Sequence, residues 1–199
     1  MTDRLGLAPD ALPAAGNWYP EENVLHLLLD HAEQRPGCRA VVLGAGLSVA
    51  VLARLFSRGG SGKVWALESD DRSLAMTQDL LDEIGAEAQL LRAELVDYDK
   101  HNLWYGRWIL NGLPDKIDLL FIDGPGHFAG RSPRWPAGPE LFGRLTDQAV
   151  VILDDGKRVK EKKALKRWAE DYPWLKQHNT KRSGAMLLCR EGVDTLCTS

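Results

Sequence analysis

The stretch from Val41 to Phe56 reads VVLGAGLSVAVLARLF, and it constrains the fold more than any other part of the chain. An apolar run meets the glycine pair Gly44 and Gly46, and apolar residues at helical spacing follow at once. Glycines let a backbone turn tightly and approach a ligand closely, and the start of a helix offers unpaired N–H groups to an anion. The stretch therefore predicts a strand, a ligand-binding turn and a helix, with a turn that binds nothing as the alternative.

The glycine spacing disfavours two common phosphate-binding loops. A dinucleotide-binding turn has a third glycine three residues after the second, and this chain has Val49 there. A Walker loop ends in Gly-Lys-Ser/Thr before its helix, and that sequence does not follow these glycines. The nature of the ligand stays open at this point.

Short apolar runs alternate with helical patterns along the whole chain. Strands that are apolar throughout and alternate with helices predict an α/β fold, with a doubly wound, mainly parallel sheet and helices on both faces. The predicted strands are Ala40–Leu43, Lys63–Leu67, Ala88–Leu91, Ile117–Ile122, Val150–Leu153 and Ala185–Leu188. The predicted helices are a segment after Pro20, Ser48–Ser57, Asp71–Ile84, Pro139–Leu145 and Lys157–Asp171.

Composition limits the classes of function to consider. A chain of 199 residues suits one domain, which we assign to 21–190, between a loose N-terminal arm (1–20) and a polar tail (191–199). The net charge of -3 gives no reason to expect a nucleic-acid or membrane partner. The three cysteines are widely separated and fit a reducing compartment, and the N-terminus lacks the apolar core of a signal peptide. We therefore expect a cytoplasmic protein.

An acid follows the second predicted strand, in the sequence Glu68-Ser69-Asp70. Glu68 comes about twenty residues after the glycines, where a carboxylate can accept hydrogen bonds from both hydroxyls of a ribose. Asp70 and Asp71 can instead cap the next helix. The glycine turn and Glu68 together predict a nucleoside-bearing ligand.

More acids follow the fourth and fifth predicted strands. Asp123 ends one strand, and Asp154 and Asp155 end the next. Neighbouring parallel strands would bring the three carboxylates together, and they would then need a cation, a proton or basic neighbours. Mg²⁺ prefers such oxygen ligands. The alternative is that Asp154 or Asp155 caps the following helix while Lys157 and Arg158 neutralise the rest.

These elements together resemble the class I S-adenosylmethionine-dependent methyltransferases. Within that class the chain looks closest to a bacterial group related to small-molecule O-methyltransferases. The likeness runs from about Asn23 to Arg190 and depends on the joint order of several motifs. They are GAGLS at 44–48, GSGKVWALESD at 60–70, WYG at 104–106, IDLLFIDGPG at 117–126 and LDDGKRVKE at 153–161.

The resemblance implies a Rossmann-like sheet with an antiparallel final strand, and S-adenosylmethionine as cofactor. It implies that the methionine part contacts Gly44, Gly46 and Ser48, and that Glu68, with Ser69 beside it, holds the ribose. It also implies that Ala93 and Glu94 lie by the adenine and Asp123 near the methyl sulfonium. In metal-dependent relatives, Mg²⁺ is bound at positions that match Asp123, Asp154 and Asp155.

The expected reaction is methyl transfer to a small molecule, with O-methylation favoured by the resemblance. The protein would position the acceptor and, where needed, remove its proton. A metal at the three acids would acidify an acceptor hydroxyl, and without a metal His127 or Lys157 would be the base. Two other functions stay open: a non-catalytic methyltransferase-like scaffold and, less favoured because of Val49, a nicotinamide-dependent oxidoreductase. A homodimer is also left open.

Overall fold

The computed structural model describes residues 1–14, 20–59, 61–180 and 183–193. Its strands form a seven-stranded sheet and a separate two-stranded hairpin. In chain order the strands are β1 (Arg39–Leu43), β2 (Lys63–Glu68), β3 (Gln89–Arg92), β4 (Leu95–Asp99), β5 (Asn102–Tyr105), β6 (Ile117–Ile122), β7 (Leu145–Leu153), β8 (Lys176–Asn179) and β9 (Met186–Cys189). The hairpin consists of β4 and β5.

Five α-helices are present in the described part of the chain. They are α1 (Glu22–Glu33), α2 (Leu47–Gly59), α3 (Asp71–Ile84), α4 (Ala137–Leu141) and α5 (Val159–Asp171). Among these described helices, none combines the length and the apolar character that a membrane crossing requires.

The large sheet has the strand order β3-β2-β1-β6-β7-β9-β8. The first five strands of this order pair in parallel, and β9 pairs antiparallel with both β7 and β8. The predicted doubly wound sheet with an antiparallel final strand is confirmed. The chain leaves β1 toward β2 on one side and returns to β6 on the other, so the strand order reverses between β1 and β6. Open α/β sheets bind their ligands in the crevice at this point.

Side chains of alternate residues in β1 point to opposite faces of the sheet, as the pleat requires. Ala40 and Val42 belong to the core cluster formed with α1 and α2, whereas Val41 and Leu43 belong to the cluster formed with α4 and α5. All four side chains are fully buried. The sheet is thus covered on both faces, which explains the continuous apolar runs 40–43 and 119–122 in its central strands.

The helix α3 has the boundaries predicted from the sequence because both of its ends carry strong local signals. The Asp70 carboxylate accepts a 2.7 Å hydrogen bond from the backbone N–H of Ser73, which satisfies an orphan donor of the first turn. Gly85 ends the helix with a left-handed φ of 61°.

Other elements differ from the prediction. The strand β7 begins at Leu145 instead of Val150, and α4 spans Ala137–Leu141 instead of Pro139–Leu145. The hairpin of β4 and β5 and the edge strand β8 were not predicted. The strands β4 and β8 are short and half-exposed, so they lack the apolar run on which the strand predictions depended, and β5 is mostly buried but only four residues long.

The described part of the N-terminal arm packs against the domain through Arg4 and Leu5. Leu5 is fully buried in the core beside α1 and α2. The guanidinium of Arg4 forms ion pairs of 2.7 Å with Asp30 and Glu33 of α1, and Arg58 of α2 donates to the Arg4 carbonyl. The arm and the tail extend into residues 15–19 and 194–199, which lie outside the described residues, and the domain boundaries stay a prediction.

Candidate functional site

A cavity of about 700 Å³ opens at the carboxyl ends of β1, β2 and β6, where the strand order reverses. Its volume lies within the range of small-molecule and cofactor sites. The predicted site residues Gly44, Gly46, Glu68, Ser69 and Asp123 line it, together with one face of α3 and the residues after Asp123.

The glycine turn after β1 forms one wall of the cavity. Gly44 and Gly46 have φ values of 110° and 114°, which L side chains rarely adopt. The helix α2 begins at Leu47, directly after the turn. Its first backbone N–H groups therefore lie beside the cavity, as the sequence predicted.

The Glu68 carboxylate holds the ends of two strands together at this cavity. Its Oε2 accepts a 3.0 Å hydrogen bond from the backbone N–H of Ala45. Its Oε1 accepts from the backbone N–H groups of Ser69 at 2.6 Å and Asp70 at 2.8 Å. A carboxylate has about four acceptor positions, so Oε2 keeps capacity for another donor, such as a ribose hydroxyl.

The turn after β6 approaches the glycine turn closely. The N–H of Asp123 and that of Gly124 both donate to the Leu43 carbonyl, at 3.0 and 2.6 Å. A Cβ on Gly124 would lie 2.5 Å from the Tyr105 hydroxyl oxygen and 3.2 Å from the backbone nitrogen of Gly44. Glycine is therefore required here by close packing. The Gly124–Pro125 peptide bond that follows is cis.

The three predicted metal ligands do cluster. Asp123, Asp154 and Asp155 each offer a carboxylate oxygen within 4.8 Å of the others. The buried Arg134 guanidinium lies among them: its Nη2 is 3.0 Å from Asp123 Oδ1 and 3.7 Å from Asp155 Oδ2. Arg158 forms a 2.8 Å ion pair with Asp155. Two arginines thus supply positive charge where the sequence left open a metal, a proton or basic neighbours.

Burial changes the titration of this cluster. Burial raises the pKa of the Asp123 carboxyl, and the positive charge of Arg134 opposes that shift. Burial also raises the pKa of Asp154 to about 7, and the negative charges of Asp123 and Asp155 add to the effect. Asp155 adopts a positive φ of 54°, unusual for a residue other than glycine, and its N–H donates to Asp154 Oδ1 at 2.8 Å.

Several predicted site residues lie outside the cavity lining. Ser48 is buried in the first turn of α2. Ala93 is fully buried, and its N–H donates a 2.7 Å hydrogen bond to the Glu68 carbonyl. Glu94 is exposed after β3. His127 is exposed, and Lys157 donates to the Ser183 carbonyl at 3.3 Å. The two residues predicted as alternative bases are thus not part of the cavity wall.

Other residues of the site were not predicted. Arg134 was not predicted, because it is far from Glu161 and the strand ends in sequence and its contact with Asp123 is formed only by the fold. Tyr105 is fully buried beside the cavity, and burial raises the pKa of its phenol well above the ordinary value. Phe128, which is 72% exposed, lies at the rim, and Met76 and Thr77 line the cavity from α3.

A doubly wound sheet with a glycine turn, an acid at the end of β2 and a cavity at the reversal of strand order is an arrangement typical of nucleotide-binding α/β proteins. No protein-family model and no curated protein matches the chain. Solved structures do match. One is an SAH-bound O-methyltransferase from Bacillus cereus, with a TM-score of 0.61 and 15% identity over 90% of this chain and 84% of that one. Another is a precorrin-6y C5,15-methyltransferase from Geobacter metallireducens GS-15, with a TM-score of 0.60 and 18% identity over 93% of this chain and 95% of that one. An SAH-bound methyltransferase from Podospora anserina matches as well, with a TM-score of 0.60 and 11% identity over 83% of this chain and 76% of that one.

The chain therefore has the fold of the S-adenosylmethionine-dependent methyltransferases of class I. The resemblance found in the sequence motifs is confirmed at the level of the fold.

Proposed function

We propose that the protein is an S-adenosylmethionine-dependent methyltransferase that methylates an oxygen atom of a small molecule. The observation that carries this proposal is the cavity at the reversal of strand order, with the Glu68 carboxylate and the glycine turn in its wall. The fold supports the cofactor, and similar structures are SAH-bound. The O-methyltransferase from Bacillus cereus supports the choice of oxygen.

The charge of the cavity favours a sulfonium cofactor over a dinucleotide. The carboxylates of Glu68, Asp70 and Asp123 line it, with Arg72 as the basic residue among the described lining and Arg134 paired with Asp123 behind it. A sulfonium cation is attracted to such a wall, whereas a pyrophosphate carries negative charge that it would repel. Val49, which replaces the third glycine of a dinucleotide-binding turn, is fully buried in the core.

The open cavity argues against a scaffold that has lost its ligand. Side chains fill protein interiors to a high density, so an empty space of about 700 Å³ beside three strand ends has to be kept free by the surrounding residues. Gly44, Gly46 and Gly124 form one side of it, and a side chain would be strained at Gly44 and Gly46 and would clash at Gly124.

Bound S-adenosylmethionine would supply an electrophilic methyl group. The residues of the chain would then hold the cofactor, orient an acceptor oxygen in line with the methyl group and keep water away. Glu68 and the glycine turn suit the first task, and the exposed ring of Phe128 at the rim suits an apolar part of the acceptor. Asp123 is the predicted catalytic residue that lines the cavity, so we propose it as the group that receives the acceptor proton.

Calorimetry with S-adenosylmethionine, S-adenosylhomocysteine and NAD tests the proposal. We expect the two S-adenosyl compounds to bind with one site per chain and NAD to give no signal. Binding of NAD alone would contradict the methyltransferase, and no binding of any nucleoside would favour the scaffold. A cytoplasmic location, a homodimer and the absence of nucleic-acid and membrane partners stay expectations.

Simple phenols can be used as test substrates to identify the class of methyl acceptor. Catechol and caffeate, incubated with radiolabelled S-adenosylmethionine, should gain label in the organic extract if oxygen of a small aromatic molecule is methylated. Asp123→Asn is the matched variant, because it keeps the size of the side chain and removes the proton acceptor. Labelling that is unchanged in this variant would contradict the role of Asp123.

A further inference from the structure

The acid cluster of Asp123, Asp154 and Asp155 already has a positive charge built into it. Three carboxylates whose oxygens lie within 4.8 Å of one another repel strongly unless a cation balances them. A divalent metal and an arginine are two ways to supply that cation. The structure distinguishes them through the position of Arg134.

We propose that Arg134 is the resident counterion of this cluster and that it takes the place of a divalent cation. Besides the 3.7 Å contact with Asp155, its guanidinium makes two hydrogen bonds and one longer charge contact. Nη2 donates to Asp123 Oδ1 at 3.0 Å, Nη1 donates to the Asp154 carbonyl at 2.8 Å, and Nε lies 3.8 Å from Oε1 of the buried Glu161. Among the described residues, Nε has no hydrogen-bond partner, so Glu161 acts on it through charge.

Arg134 is held in place by the segment that carries it. The guanidinium is buried, with its side chain only 6% exposed. The next residue, Trp135, accepts a 2.9 Å hydrogen bond from Trp168 Nε1 through its carbonyl, and Arg167 covers its ring. Ser132, just before, donates its N–H to the Asn102 side chain at 2.8 Å. Anchored on both sides, Arg134 cannot leave the acids at low cost.

A divalent ion would compete with Arg134 for the same oxygens. Mg²⁺ requires close, nearly octahedral oxygen ligands and would sit beside a guanidinium that already binds Asp123. Asp155 is engaged as well, by Arg158 at 2.8 Å. Of the three carboxylates, Asp154 is the one without a guanidinium contact to its side chain among the described residues, and a single such ligand does not make a Mg²⁺ site. The geometry thus fits an internal ion-pair network instead of a metal site.

Manganese titration of the full chain, followed by electron paramagnetic resonance, tests this without any assay of activity. The wild-type protein should leave Mn²⁺ free up to about 1 mM, which is the weak end of protein sites for hard cations. Arg134→Met removes the charge and keeps an unbranched side chain, so it should bind Mn²⁺ at least about 10-fold more tightly than the wild type. Arg131→Met, an exposed neighbour on the same segment, is the control and should behave as the wild type.

The possible results distinguish Arg134 as the counterion of the acids from a divalent metal bound by them. Tight 1:1 binding of Mn²⁺ by the wild type that is lost in Asp154→Asn would overturn the proposal, because the acids would then hold a metal beside Arg134. A folded Arg134→Met variant without Mn²⁺ binding would overturn it too, because Arg134 would not be what excludes the ion. If Arg134→Met does not fold, Arg134→Lys keeps the charge and should fold without binding Mn²⁺, and binding by this variant would count against the proposal.

Discussion

The backbone N–H of Ala45 donates a 3.0 Å hydrogen bond to Oε2 of Glu68, so a side chain joins the turn after β1 to the end of β2. The same carboxylate also fixes the turn after β2 through the N–H groups of Ser69 and Asp70. Glu68 therefore shapes the cavity wall before any ligand binds, and it presents its remaining acceptor capacity to a ligand in a fixed position.

The first prediction concerns Glu68→Gln. The amide puts an NH₂ group where one acceptor oxygen was, so it faces backbone donors that need an acceptor. Hydrogen bonds to charged groups contribute about 1.5–3 kcal/mol. We expect the dissociation constant of S-adenosylhomocysteine to rise at least about 10-fold, measured by calorimetry, and the free energy of unfolding to fall by about 1–3 kcal/mol. Glu87→Gln, on an exposed loop, should change neither quantity, and unchanged affinity in Glu68→Gln would refute the ribose-binding role.

The sequence predicted the parts of the fold that local signals determine. The helix α3, with its Asp70 cap and Gly85 end, and the largely apolar strand β6 were predicted with their observed boundaries. The hairpin of β4 and β5 was missed because β4 is half-exposed and interrupted by acids, while β5 is mostly buried but only four residues long. Such strands carry little of the apolar periodicity by which a strand is recognised.

The site could be predicted only as far as strand ends determine it. Glu68 is the last residue of β2 and Asp123 directly follows β6, so the topology alone brings them to the cavity. The counterions of the acids depend on how loops fold back. Arg158 does pair with Asp155, as the helix-cap alternative suggested, but Lys157 donates to the Ser183 carbonyl instead. Arg134, which contacts Asp123, lies on a separate loop.

The second prediction concerns the close approach at Gly124. Gly124→Ala would place a methyl group 2.5 Å from the Tyr105 hydroxyl oxygen and 3.3 Å from the Leu43 carbonyl carbon. Overpacking of this kind costs about 1–3 kcal/mol of the free energy of unfolding, which urea denaturation measures. Gly143→Ala is the matched control, because a Cβ there meets nothing within 4 Å.

Tyr105→Phe shows whether the Tyr105 hydroxyl causes the loss of stability in Gly124→Ala. The hydroxyl oxygen is the nearest atom to the added methyl group, so the double variant with Gly124→Ala should recover part of the lost stability. The backbone of Leu43 and Gly44 stays close, so full recovery is not expected. Purely additive effects of the two substitutions would show that the contact with Tyr105 does not determine the need for glycine.

The third prediction concerns the N-terminal segment. Leu5 is fully buried against the core, and removal of such a side chain costs about 2–5 kcal/mol. Leu5→Ala should therefore lower the free energy of unfolding by that amount, measured by urea denaturation. Leu7→Ala, at a partly buried position on the same segment, should cost less. Equal and negligible effects of both substitutions would mean that residues 1–14 do not belong to the folded domain.

The last prediction is a pH dependence that arises from Asp154. Burial raises the pKa of this carboxyl from an ordinary value of 3.8 to about 7 in the folded protein. Between these two values the folded state holds a proton that the unfolded state has lost, so the stability contributed by this group falls as the pH rises from about 4 to about 7. Asp154→Asn removes the titration, and its amide oxygen can still accept the hydrogen bond from the Asp155 N–H.

The free energy of unfolding of Asp154→Asn should therefore increase relative to that of the wild type as the pH rises. We expect the difference between the two free energies of unfolding to move in favour of Asp154→Asn by on the order of 3 kcal/mol between pH 4 and pH 8. Urea denaturation at several pH values measures both curves, and using their difference cancels the titration of the other groups. A difference that stays constant with pH, or moves toward the wild type, would show that Asp154 is ionised in the folded protein throughout this range.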